Sequence, residues 1–116
     1  MRIISGKYKS RRIHVSPALK ARPTTDFAKE GLFDVINNLL EWEETTALDL
    51  FSGTGSIALE MVSRGCPRVV SVEMSRNYYN FIVKTKKTLG AIELFPIHAD
   101  VFKFVASCKE KYDLIF

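Results

Sequence analysis

The chain is poor in residues that staple, ligate or anchor: 116 residues hold two cysteines, two histidines, one tryptophan and four prolines. Cys66 and Cys108 lie far apart with no ligand-like spacing around them, which argues against a disulfide framework and a zinc site. They read as free thiols of a reducing compartment. His14 and His98 have no neighbour that would make a metal site or a catalytic pair, so no metal is expected. No apolar run approaches the ~20 residues that a membrane span requires. Met1-Arg2-Ile3-Ile4 runs directly into polar residues, unlike a secretory leader. These absences predict a cytoplasmic protein with no membrane partner, one domain at most.

Acid is also missing, locally. Residues 1–22 carry seven basic side chains (Arg2, Lys7, Lys9, Arg11, Arg12, Lys20, Arg22) and no Asp or Glu, whereas residues 23–116 carry a net charge of −3. A basic segment beside a mildly acidic body is the footprint of a polyanionic partner, because Lys and Arg on phosphates release condensed counterions. Ile3, Ile4, Tyr8, Ile13 and Val15 interleave with the charges, and the alternation predicts a β-hairpin rather than a loose tail. The boundary falls there: residues 1–22 as a basic hairpin extension for RNA contact, residues 23–116 as the main domain.

Strand and helix signals alternate through the main domain. Thr24, Thr25 and Asp26 offer capping chemistry for a helix from Asp26 to Leu40, with Ala28, Leu32, Val35, Ile36, Leu39 and Leu40 as its inner face. Strands are expected over Thr46–Phe51, Arg68–Glu73, Ile92–Ile97 and Tyr112–Phe116. Helices are expected over Ser56–Arg64, from Ser75 to Leu89, and over Val101–Cys108. Gly65 and Gly90 stop the first two of these helices. Pro96 suits an outer strand. The order predicts an α/β fold, a mostly parallel sheet with helices on both faces, whose ligand lies beyond the carboxyl ends of the strands.

Three of those strand ends carry marked residues. Leu48-Asp49-Leu50-Phe51-Ser52-Gly53-Thr54-Gly55-Ser56 puts an acid just before a turn on two glycines, which let backbone approach a ligand closely. Glu73 ends the second strand, where a carboxylate can accept both hydroxyls of a ribose. Asp100 and Val101 follow the third, where a carboxylate and a backbone N–H can meet adenine. Gly53-x-Gly55-x-x-Ala58 also satisfies the dinucleotide fingerprint, so NAD is a competing ligand. The acid before the glycines decides between them: it repels a pyrophosphate and attracts the sulfonium and ammonium of S-adenosylmethionine.

The chain resembles the RsmD-type small-subunit ribosomal RNA guanine-N2 methyltransferases over essentially its whole length. The resemblance rests on Arg2-Ile3-Ile4-Ser5-Gly6-Lys7-Tyr8-Lys9-Ser10-Arg11-Arg12, on Arg22-Pro23-Thr24-Thr25-Asp26 with Glu30-Gly31-Leu32-Phe33-Asp34, on Asp49 to Ser56, and on Ser63-Arg64-Gly65. It implies a Rossmann-like class I methyltransferase domain that takes S-adenosyl-L-methionine. Asp49, Ser52, Gly53 and Gly55 would surround the methionine part, Glu73 the ribose, and Asp100 and Val101 the adenine. The segment from Arg22, with Thr24, would close over the cofactor. Lys7, Lys9, Arg11 and Arg12 would grip 16S ribosomal RNA or the assembling small subunit.

In that family the fourth strand leads into an Asp/Asn-Pro-Pro-Tyr/Phe motif, whereas this sequence stops at Tyr112-Asp113-Leu114-Ile115-Phe116. The motif would hold the N–H groups of N2 and stack on the extruded base. The expectation is a chain that lacks its C-terminal strands, contains no catalytic residue, cannot methylate alone, and can self-associate through an exposed fourth strand. Alternative readings are a DNA or RNA adenine-N6 methyltransferase and a non-catalytic nucleic-acid-binding Rossmann domain.

Overall fold

The computed structural model describes residues 1–19 and 24–116. β1 (Thr46–Leu50), β2 (Arg68–Glu73), β3 (Leu94–His98) and β4 (Leu114–Ile115) form one parallel sheet in the order β3-β2-β1-β4. β1 and β2 are its centre: Ala47, Leu48 and Asp49 on β1 and Val69 to Val72 on β2 are buried, as strands covered on both faces must be. β3, with Pro96, lies at one edge as expected. β4 lies at the other, where Leu50 N–H bonds Phe116 O and Phe116 N–H bonds Leu48 O.

The helices are α1 (Asp26–Ile36), α2 (Ser56–Ser63), α3 (Arg76–Leu89) and α4 (Val101–Ser107). Their starts are set by local chemistry. Thr25 Oγ1, Ser75 Oγ and Asp100 Oδ1 accept backbone N–H bonds from Ala28, Tyr78 and Lys103. Gly90, at φ 66°, closes α3. α1 ends at Ile36, one turn short of the Leu40 that periodicity suggested, and its buried face differs. Lys29, Phe33 and Ile36 point inward, while Val35 and Leu39 are exposed. The reason is tertiary: Lys29 is taken into the core by a carboxylate on α2, which turns α1 by about a residue's angle.

One sheet face carries a core of Phe33, Ile57, Leu59, Met61, Val69, Ile82 and Leu94. The other carries a smaller cluster of Leu48, Val70, Val72 and Val101. The N-terminal segment joins the larger core. It is a hairpin reduced to one antiparallel bridge, Arg2 with Arg12, closed by Ile3 N–H to Arg11 O and Ile13 N–H to Met1 O. Ile3 is buried, and all eight residues of α2 are buried because the sheet covers one side and this ribbon the other.

The ribbon is fastened by polar groups. Glu60 on α2, fully buried, accepts Ile4 N–H at 2.9 Å, Ser5 N–H at 3.0 Å and Arg64 Nε at 2.9 Å, with Lys29 Nζ at 3.3 Å. Lys29 also donates to Arg2 O and Ser56 Oγ. Burial holds the Lys29 ammonium below its ordinary range, and Glu60 works against that shift. Tyr8 N–H bonds Ser63 Oγ, and Lys7 N–H bonds Ser63 O. Gly6 lies so close that a Cβ on it would stand 1.8 Å from Ser63 O.

Candidate functional site

β1 delivers Asp49 to the top of the sheet, 2% exposed. Asp49 Oδ2 accepts Ser52 Oγ at 2.6 Å, and Ser52 in turn accepts Ser71 Oγ of β2 at 2.7 Å. Ser52 N–H bonds Val72 O, so the loop is anchored to both central strands. Burial pushes the Asp49 carboxyl up to about 6, the nearby Glu73 charge adds to that, and the Ser52 hydroxyl and an Ala58 backbone bond oppose it. A carboxylate burdened in this way is stabilised by any cation that docks against it.

The chain then turns through Phe51, Ser52, Gly53 and Thr54 into α2, whose N-cap is Gly55. Gly53 and Gly55 take positive φ of 59° and 80°. Gly55 needs it twice over, since a Cβ there would also stand 3.1 Å from Ile82 Cγ1. Phe51 takes φ 54°, a left-handed conformation that costs a non-glycine residue about 1 kcal/mol. The turn sets its ring against Phe102 at 6.0 Å.

A cavity of about 260 Å³ opens over this loop. Of the residues anticipated from the sequence, Thr24, Asp49, Ser52 and Gly53 line it. Gly55 is the N-cap of α2 and does not line the cavity. Glu73 stands beside the loop: its two oxygens accept Gly53 N–H at 2.7 Å and Ser75 N–H at 2.9 Å. Each oxygen keeps a further acceptor site for a hydroxyl. Asp100 caps α4 and Val101 is buried in the smaller core, so neither lines the cavity. Their strand is nonetheless adjacent, since Ala99 N–H bonds Glu73 O. Arg22 lies outside the described residues.

Sequence reasoning assigned no site role to six lining residues: Phe51, Thr54, Ser56, Ile57, Tyr78 and Phe116. Tyr78 carried a signal, as an aromatic in the first turn of the helix after β2. Its hydroxyl donates to Leu19 O at 2.5 Å and ties the ribbon's end to the site. Among the described residues, no Lys or Arg lines the cavity.

Of the residues expected on RNA, Lys9, Arg11 and Arg12 are exposed. Lys7 pairs with Glu93 and lies over the Tyr8 ring, and that bond raises its pKa. No group of three or more potential metal ligands occurs among the described residues. No helix there is long and apolar enough to cross a membrane.

The family model described as Conserved hypothetical protein 95 matches residues 1–116. The chain belongs to that family, the RsmD methyltransferases. It is 33% identical over 116 residues to ribosomal RNA small subunit methyltransferase D of Buchnera aphidicola subsp. Baizongia pistaciae, covering 100% of this chain and 59% of that protein. The protein of the same name from Escherichia coli K12 is 28% identical over 116 residues, covering 100% and 58%. The solved structure of Escherichia coli yhhF superposes with a TM-score of 0.88 at 26% identity, over 100% of this chain and 62% of that one. The RsmD-family chain thus spans about three fifths of the length of these curated relatives, and its α/β sheet is the Rossmann-like methyltransferase fold.

Proposed function

We propose that the full-length protein carrying this chain is an S-adenosylmethionine-dependent methyltransferase acting on the exocyclic N2 of a guanine in 16S ribosomal RNA. The observation that carries the reading is the cavity at the tip of β1: one buried carboxylate, two positive-φ glycines and no lining Lys or Arg among the described residues. A pyrophosphate has nothing there to neutralise it, whereas an α-ammonium relieves the cost of burying Asp49. S-adenosylmethionine brings that ammonium together with an electrophilic methyl group.

In this reading Asp49 holds the ammonium, with Ser52 and Ser71 fixing its orientation. Gly53 and Gly55 let backbone N–H groups approach the methionine carboxylate. Glu73 accepts the ribose hydroxyls, and Asp100 with Val101 meets the adenine. Thr24 lines the cavity, and the role of closing over the cofactor is assigned to it together with Arg22. Lys7, Lys9, Arg11 and Arg12 contact RNA phosphates, Lys7 after exchanging Glu93 for a phosphate. The names of the curated relatives support the rRNA substrate.

The 116 residues contain no Pro-Pro pair, so the Asp/Asn-Pro-Pro-Tyr/Phe sequence is not among them. We therefore assign this stretch the cofactor and RNA-gripping roles and no methyl transfer by itself. The RNA substrate is naked or in an assembling small subunit, the site of work is the cytoplasm, and the β4 edge is a place for pairing with a second chain.

The test is transfer of labelled methyl from S-adenosylmethionine by the full-length protein into 16S RNA, assembled small subunits and DNA, with mass-spectrometric location of the methyl group. N2-methylguanine in RNA is expected. N6-methyladenine would favour the adenine reading. Folded protein that binds RNA yet takes up no S-adenosylhomocysteine would favour a binding module.

A further inference from the structure

The ribbon and α3 do not close on each other completely. Between them lies a groove of two adjoining chambers, about 260 and 380 Å³, which share Phe81 and Lys84. Arg11, Arg12 and His14 form the ribbon's wall of the first chamber, opposite Lys84 and Thr88. Asn77 and Asn80 line the second, opposite Ser16 and Leu19. Tyr78, whose hydroxyl holds Leu19 O, lines the candidate cofactor cavity, so the second chamber ends beside that site.

Three observations set the chemistry of an occupant. First, no acidic side chain lines either chamber among the described residues. Second, α3 contributes four basic residues and no acid. Helix-dipole compensation in the last turn accounts for Lys86 and Lys87, and Lys86 is committed elsewhere, to Leu94 O and the Phe95 ring. It does not account for Lys84, which lies before the last turn and faces the groove. Third, an aromatic ring, Phe81, is common to both chambers, with Thr85, Asn77 and Asn80 beside the aliphatic Ile13, Leu19 and Leu89.

We infer that this groove is a track for a single-stranded segment of the substrate RNA, leading towards the cofactor cavity. Arg11, Arg12 and Lys84 take its phosphates from both walls, and Phe81 offers a face to one base. Cationic walls around an aromatic platform are the arrangement by which single strands are held without sequence readout, and a base that must leave its stack reaches a buried site along such a strand. The inference deepens the proposed function and rests on it. It differs in placing α3, and not the ribbon alone, on the RNA.

The test uses the full-length protein, fluorescently labelled single-stranded and duplex RNA of one sequence, and anisotropy across a salt series. Lys84 is exposed, so Lys84→Glu leaves the fold intact; Phe81→Leu keeps an apolar side chain at the second position. Lys84→Glu is expected to weaken single-strand binding by about tenfold and to lower the slope of log affinity against log salt by about one. Phe81→Leu is expected to weaken it several-fold without altering the slope. S-adenosylhomocysteine affinity stays at the wild-type value in both. Wild-type affinity and slope in both variants, while charge reversal at Arg11 and Arg12 still weakens binding, would overturn the track and leave the rRNA reading standing. Equal affinity for duplex and single strand would also overturn it. Failure of the wild-type protein to bind any RNA would overturn both.

Discussion

The two faces of the sheet are built to different standards. On one, α1, α2, α3 and the N-terminal ribbon enclose Phe33, Leu59, Met61 and Ile82 with no exposure, and a buried carboxylate is met by four donors. On the other, α4 alone covers Leu48, Val70 and Val72, and Phe102 and Ile115 remain 76% and 58% exposed. Each core side chain on the first face contributes about 1.5–3 kcal/mol of burial, which Phe102 largely forgoes. Stability is therefore concentrated on the side that holds the ribbon. Residues 1–13 of the basic segment are no tail: they form the outermost layer of the better-packed half, tied to α2 through Glu60 and Ser63.

Removing the hub should break this contrast most severely. Glu60→Ala leaves the Ile4 and Ser5 N–H groups without their acceptor and the buried Lys29 ammonium without its counter-charge. A loss of about 3–5 kcal/mol in denaturant unfolding is expected. A loss below 1 kcal/mol would show that the ribbon contributes little to the packed half.

A change of pH ranks second. The folded carboxyl of Asp49 sits at about 6, above its ordinary 3.8, so the native state favours the protonated form. Its burden on stability is full above pH 6 and is relieved as pH falls from about 6 towards 4. The burden is on the order of 3 kcal/mol. Other carboxylates, such as Glu93 and Glu110, shift downward and act oppositely. The difference between wild type and Asp49→Asn isolates the effect: Asp49→Asn should be the more stable above pH 6, with the gap closing below it. Affinity for the cationic donor should fall over the same interval, and a flat affinity between pH 5 and 7 would count against Asp49 as its partner.

Gly6→Ala sharpens the comparison locally. The added Cβ collides with Ser63 O and meets an unfavourable φ of +90°. Faster hydrogen exchange is expected at Ile3 to Ser10, with a cost of about 1–3 kcal/mol, weakened RNA binding and an unchanged core. The smallest effect is expected on the open face, where Phe102→Ser should change stability by less than about 0.5 kcal/mol while reducing self-association in sedimentation.

Much of the fold was legible because it is local. Caps at Thr25, Ser75 and Asp100, the glycine turn after Asp49 and the outer position of Pro96 all arise from the residues themselves. What was not legible depends on partners remote in sequence. Lys29 counts as an outward residue by periodicity until Glu60 claims it, and that misplaced the buried face of α1. Lys7 counts as a free cation until Glu93 pairs with it. The groove needed α3 and the ribbon side by side, and neither shows the other in one dimension. Asp100 illustrates the reverse case, a residue whose two readings, cap and adenine partner, use different lone pairs of one carboxylate.

The central claim is that a buried carboxylate at the β1 tip receives a cationic methyl donor. Titration calorimetry of S-adenosylhomocysteine into the full-length protein and its Asp49→Ala variant tests it most directly, because that ligand keeps the ammonium and lacks the reactive methyl. Binding to the wild type and a loss of at least about 100-fold in the variant are expected. Equal affinity in the two, with both folded, would contradict it.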